Sequence, residues 1–243
     1  MKTRRVLGRV DILDRVFQLS TNFSYESYKQ AARFNRLNVI LWLSRRGYIC
    51  PTVCCEAAAL GGHLHILQWL VKKDTTLYES EVAQAAIQGG HTNVLEWVFK
   101  YRPRQDLVAL CCTAASWGRL DMIKWLQLRG NCVTSWTLAR AIHHGHRHVV
   151  EYLLPICPLD AILTWTAAGV GDLQLLQRLV ALNCPVEAYA TATAAGNCHL
   201  GVLRWLVEND YPLHRLVCVY GRNTPEILEY LNTIQCQCGG EFH

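Results

Sequence analysis

A thirteen-residue unit recurs from end to end of this 243-residue chain, and that recurrence restricts the fold more than any other feature. Its clearest copy is Ala58-Ala59-Leu60-Gly61-Gly62-His63-Leu64-His65-Ile66-Leu67-Gln68-Trp69-Leu70. The pattern returns from Ala114 to Leu126 and from Ala141 to Leu153. One column sets the phase: Gly8, Asn35, Gly62, Gly90, Gly118, Gly145, Gly171, Cys198 and Asn223, at steps of 25 to 28 residues. A fixed period of roughly 20–50 residues means stacked repeats, each unable to bury its apolar face alone.

Four residues after each phase position stands an aliphatic residue, from Ile12 and Val39 to Ile227. A second follows directly, and a third apolar column runs from Val16 and Leu43 to Leu231. The stretch after the phase residue therefore reads as a helix that is apolar around most of its circumference. Only a narrow polar stripe interrupts it, as at His65 and Gln68. Before the phase residue comes a shorter helix with paired small residues, such as Ala58-Ala59 and Ala194-Ala195, which let helices pack closely. Gly or Asn at eight of the nine phase positions suits a left-handed cap between the two helices. The Trp column at Trp42, Trp69, Trp97, Trp125 and Trp205 reads as core.

These features resemble the ankyrin repeat, whose T-P-L-H-x-A-A-x-x-G-H pattern is approached at Thr137-Leu138-Ala139-Arg140-Ala141-Ile142-His143-His144-Gly145-His146. Gly-His stands intact at 62–63, 90–91 and 145–146. About six residues are missing where that family places a β-hairpin finger. The resemblance implies an all-α solenoid of helix-turn-helix repeats with short loops and fingers reduced or absent. The Trp-Leu pairs with Cys-Pro loops at Cys50-Pro51, Cys157-Pro158 and Cys184-Pro185 are similar to short ankyrin-like arrays of giant viruses of amoebae. The expected organisation is an N-terminal half-repeat (1–20), eight repeats with the last degenerate (21–231), and a C-terminal tail (232–243).

Hydrophobic residues make up 51% of the chain and charged ones 18%, which excludes a disordered chain. The formal charge of +5 is spread thinly, so nucleic acid is not the expected partner. The start, with Lys2, Arg4, Arg5 and Arg9, lacks the apolar run of a secretory signal, and no segment has the apolar length of a membrane span. An intracellular monomer is expected. The twelve cysteines follow the repeat, with Cys50, Cys132, Cys157 and Cys184 at one loop position. Equivalent positions in stacked helices lie about 10 Å apart, beyond disulfide reach, so reduced thiols are expected.

Little in the chain points to catalysis. No G-x-S-x-G, phosphate-binding glycine loop or H-E-x-x-H occurs. His143, His144, His146 and His148 have zinc-ligand chemistry but project in different directions, and Cys236 and Cys238 with His243 lack a fourth ligand. The expectation is no enzyme, no cofactor and no metal. What the resemblance implies is a protein partner held on the concave inner-helix surface, by residues flanking the small-residue pairs. The large ones are Phe34, Trp117, Arg140, His143 and His144, and Trp and Arg are frequent interface anchors. A ubiquitin-ligase substrate receptor without its own F-box, and a decayed repeat array with no specific partner, are the competing readings.

Overall fold

The computed structural model describes residues 25–45, 51–72, 79–101, 103–222 and 224–234. The expected half-repeat at 1–20, the loop cysteine Cys50, and Cys236, Cys238 and His243 lie outside them. The described helices form two compact units that divide after Asp106. In the first unit, inner helices α1 (Tyr25–Arg33), α3 (Pro51–Leu60) and α5 (Glu79–Gly89) alternate with outer helices α2 (Leu37–Arg45), α4 (Leu64–Val71) and α6 (Thr92–Tyr101). In the second, inner helices are α7 (Leu107–Ser116), α9 (Ser135–His143), α11 (Ala161–Val170), α13 (Tyr189–Gly196) and α15 (Val217–Gly221). Their outer partners are α8 (Leu120–Gln127), α10 (Arg147–Leu153), α12 (Leu173–Ala181), α14 (Leu200–Glu208) and α16 (Pro225–Thr233). No strand occurs among the described residues, so the fingers are absent there.

Within each unit the inner helices pack on one another in sequence, and each outer helix packs on its own inner helix. The small-residue pairs make this possible: Ala58, Ala59, Ala114, Ala115, Ala167, Ala168, Ala194 and Ala195 are fully buried. The outer helices insert their apolar columns, for example Ile66, Leu67 and Leu70, or Met122, Ile123 and Leu126. Truncating such a leucine to alanine costs about 2–5 kcal/mol, so these columns dominate stability.

The turn between paired helices is built one way throughout. Every described phase residue has positive φ, including Asn35 (59°), Gly118 (65°) and Cys198 (65°). The following residue closes the turn by donating to the first small residue of the pair: His63 N to Ala58 O at 2.8 Å, Arg119 N to Ala114 O at 2.8 Å, His199 N to Ala194 O at 2.8 Å. This is the six-to-one bond of a Schellman cap.

The histidine after the phase residue does more than close its own turn. His146 Nε2–H donates to Ser116 O of the preceding repeat at 2.9 Å, and His199 Nε2–H to Gly169 O at 3.1 Å. In the first unit His63 does the same to Arg33 O at 2.9 Å and His91 to Leu60 O at 3.0 Å. A carbonyl can only accept, so the Nε2-protonated tautomer is selected. The rings of His91, His146 and His199 lie where a side chain on the preceding phase glycine (Gly62, Gly118 or Gly171) would project. A Cβ on Gly118 would stand 2.7 Å from His146 Nδ1. Within the second unit Gly145 is the exception: position 172 is Asp, and a Cβ on Gly145 would meet nothing within 4 Å.

The Trp column is not deep core. Only Trp42 is buried; Trp69, Trp97, Trp125 and Trp205 are half-buried. Three column residues, Tyr152, Arg178 and Tyr230, meet the polar residue of the preceding repeat. Lys124 lies over the Tyr152 ring at 5.0 Å, and Arg204 over Tyr230 at 5.2 Å. Where the column residue is Arg178, the preceding repeat supplies Glu151 and the two form an ion pair.

One cysteine expectation fails. Cys111 and Cys132 form a disulfide, with Cα atoms 6.0 Å apart. The reading from spacing considered equivalent loop positions of neighbouring repeats. This bond instead joins an inner-helix cysteine to the loop after its own repeat's outer helix, which folds back over α7. Cys157 and Cys184, at the equivalent loop position, are free and buried.

Gly118→Ala should destabilise the protein more than Gly145→Ala by at least about 1 kcal/mol in urea unfolding. Both suffer the left-handed backbone penalty of about 1–2 kcal/mol, but only the first displaces a ring and its hydrogen bond. Reduction of the Cys111–Cys132 bond, which spans 21 residues, should lower stability by about 3 kcal/mol. Mass analysis after unfolding and alkylation without reductant should show these two thiols protected; if both are alkylated, the bond is absent in solution.

Candidate partner-binding surface

The inner helices of the second unit present their exposed side to solvent, and the side chains there come from positions that the repeat leaves free of packing. Arg140 and His143, at the end of α9, line a trough of about 440 Å³ together with Trp136, Ile162, Trp165, Thr166, Tyr189, Thr193 and Asn197. Trp136 is 60% exposed and Tyr189 43%. Trp165 meets Tyr189 edge-on with ring centroids 5.1 Å apart, and Tyr189 continues to His214 at 5.8 Å.

The polar groups of this trough are mostly turned inward. Thr166 Oγ1 donates to Ile162 O at 2.7 Å, and Thr193 Oγ1 to Ala190 O at 3.0 Å. Asn197 Nδ2 donates to Gly169 O at 2.8 Å. Their methyl and methylene groups are left to the surface. The Trp165 Nε1–H is covered and has no hydrogen-bond partner. No carboxylate lines the trough, and Arg140 forms no ion pair among the described residues.

The five residues singled out from sequence are distributed unevenly. Arg140 and His143 line the trough; Trp117 and His144 do not. Trp117 stands at the end of α7, half-exposed, its backbone N–H donating to Thr113 O at 3.1 Å. Phe34 belongs to the first unit, where it is 62% exposed beneath the Arg33 guanidinium at 5.9 Å. His143 and His144 meet edge-on at 5.1 Å. Burial, then His143, His146 and Arg140, hold the His144 imidazole below its ordinary pKa.

Sequence reasoning passed over Trp136, Ile162, Trp165 and Tyr189. Their signal was nevertheless present: Trp136, Ile162 and Tyr189 each stand five residues before Ala141, Ala167 and Ala194. Attention to residues flanking the small pairs missed this register one helical turn earlier.

A second depression, of about 310 Å³, follows from the missing histidine at 172. It is lined by Ile142, Gly145, Arg147, Val150, Glu151, Asp172, Gln174, Leu175 and Arg178. Asp172 instead caps α12, its Oδ1 accepting from Leu175 N at 3.0 Å.

Several groups suited to covalent or metal chemistry are engaged or suppressed. Burial pushes the Cys55 thiol up to about 12 and the Cys157 and Cys184 thiols up to about 11, which keeps them protonated and weakly nucleophilic at neutral pH. His146 and His148 give Nε2–H to Ser116 O and Gly118 O, each at 2.9 Å. Among the described residues, no three His, Cys, Asp or Glu side chains converge on a common point. No described helix is long and apolar enough to cross a membrane.

Comparison with solved structures places the fold. The chain is similar to the crystal structure of the human ASB11 ankyrin repeat domain, with a TM-score of 0.52 and 16% identity over 78% of this chain and 99% of that one. At that identity the likeness carries the fold, which is that of an ankyrin-type α-solenoid. No family model and no curated protein matches the chain.

A depressed histidine pKa means the folded state favours the neutral imidazole. Its contribution is full above the ordinary value near 6.5 and is lost as pH falls below it. Thermal unfolding of wild type should therefore shift downward between pH 7.5 and 5, and His144→Gln should make that decline shallower. Parallel pH profiles would remove His144 from the acid response.

Proposed function

We propose that this protein is a non-catalytic binding module that holds a protein partner on the inner-helix surface of its second unit. One observation carries this reading: Trp136 and Tyr189 remain largely exposed beside Arg140, which has no ion pair among the described residues, on a surface where Thr166, Thr193 and Asn197 are satisfied internally. Exposed aromatic and arginine side chains clustered in one trough are the composition of an interface centre, not of an ordinary solvated face. The ankyrin-type fold supports a protein as partner. Trp117 and His144 extend the surface toward α7, and Phe34 is a separate exposed aromatic on the first unit. The partner in this reading is a host or viral protein, and the binding form is a monomer.

Affinity capture from cell lysate should recover a partner with wild type and lose it with Trp136→Ala/Arg140→Glu, both exposed and so compatible with an unchanged melting profile. Trp117→Ala should weaken capture less. A partner retained by the double variant would place binding elsewhere. Co-recovery of ubiquitin-ligase subunits would favour the receptor reading, and recovery of nothing specific would favour a decayed array.

A further inference from the structure

We infer that the trough takes an acidic peptide segment in extended, polyproline-like conformation, with a carboxylate at Arg140 and apolar side chains at every third position beyond it. The inference rests on the partner-binding reading above and adds the chemistry of the occupant.

Charge selects the acid. Arg140 is the only permanently charged group in the lining, it has no ion pair among the described residues, and no carboxylate stands among the lining residues. A partner cation would meet it unshielded, whereas a carboxylate would find a planar fork of donors free to receive it.

Spacing selects the extended form. Trp136, Ile162 and Tyr189 occupy one register on α9, α11 and α13, so the trough repeats with the helices. Packed helices lie about 8–10 Å apart. A polyproline II segment advances about 3.1 Å per residue with three residues per turn, hence about 9 Å per turn. Each turn therefore moves one peptide side chain from one inner helix to the next. A peptide helix, rising only about 5.4 Å per turn, would not keep this step. Arg140 shares its register with Thr166 and Thr193, so an acidic residue at Arg140 would be followed three positions later by an apolar residue at Trp165 and the methyl of Thr166. Three further on, a second would reach Tyr189.

Two fluorescein-labelled peptides test this by anisotropy: Glu-Pro-Pro-Leu-Pro-Pro-Leu, and the same sequence with Lys for Glu. A third peptide with one proline deleted between the leucines breaks the spacing. Wild type should bind the Glu peptide about tenfold or more tighter than the Lys peptide, and Arg140→Glu should reverse that order. Trp165→Ala should weaken the Glu peptide, and the spacing variant should bind less tightly than its parent. The inference is overturned if neither peptide binds, if the Lys peptide binds equally, or if Arg140→Glu leaves the order unchanged. It is also overturned if the chain sediments as a dimer that Trp136→Ala dissociates, since a second copy then fills the trough. Loss of a lysate partner from Trp136→Ala/Arg140→Glu without any Glu preference would keep the binding surface and discard the acidic occupant; retention of that partner would discard both.

Discussion

The contact on which both stacks depend is a histidine ring set over the glycine of the preceding repeat. It performs two tasks at once. Its Nε2–H satisfies a carbonyl at the end of an inner helix, where intrahelical partners run out. Its ring fills the volume beside a residue that must already have positive φ. Glycine is therefore required twice, by its own backbone and by its neighbour's side chain. A structure held this way transmits spacing from one repeat to the next, because the ring reaches only if the helices stack at the proper distance.

The rule is most informative where it lapses. At Asp172 the histidine is replaced by a residue that cannot donate, and Gly145 loses its cover. The result is a depression beside the helix that carries Arg140 and His143. A similar interdependence governs the outer seams. Tyr152 and Tyr230 meet a lysine and an arginine from the preceding repeat, and Arg178 meets a glutamate. Both arrangements place cationic and electron-rich groups together at the rim of the apolar interface, so the substitution at Arg178 is matched across the seam.

The trough gains its character from how several of its polar groups are consumed. Thr166, Thr193 and Asn197 spend their donors on helix carbonyls. What remains outward is aromatic and methyl surface with one free guanidinium. In the proposed role such a surface would select a carboxylate at Arg140, while apolar groups gain from the rings.

The period, the helix pairs, the buried columns and the left-handed turns were legible in the amino-acid sequence, because each follows from local geometry repeated at fixed spacing. Asn35 and Cys198 adopt the glycine conformation because the repeat imposes it, although Cys198 alone carries no such signal. Three features were decided by tertiary structure. The disulfide of Cys111 and Cys132 depends on a loop folding back over its own repeat, which spacing along the stack does not describe. The half-burial of the Trp column depends on how far apart the outer helices stand. The trough brings Trp136, Ile162, Trp165 and Tyr189 to Arg140 and His143 while leaving out Trp117 and His144, because the side chains that converge are those whose helices are adjacent and whose register matches. Local pattern determines which face a residue occupies; only the stacked helices determine which residues on that face meet.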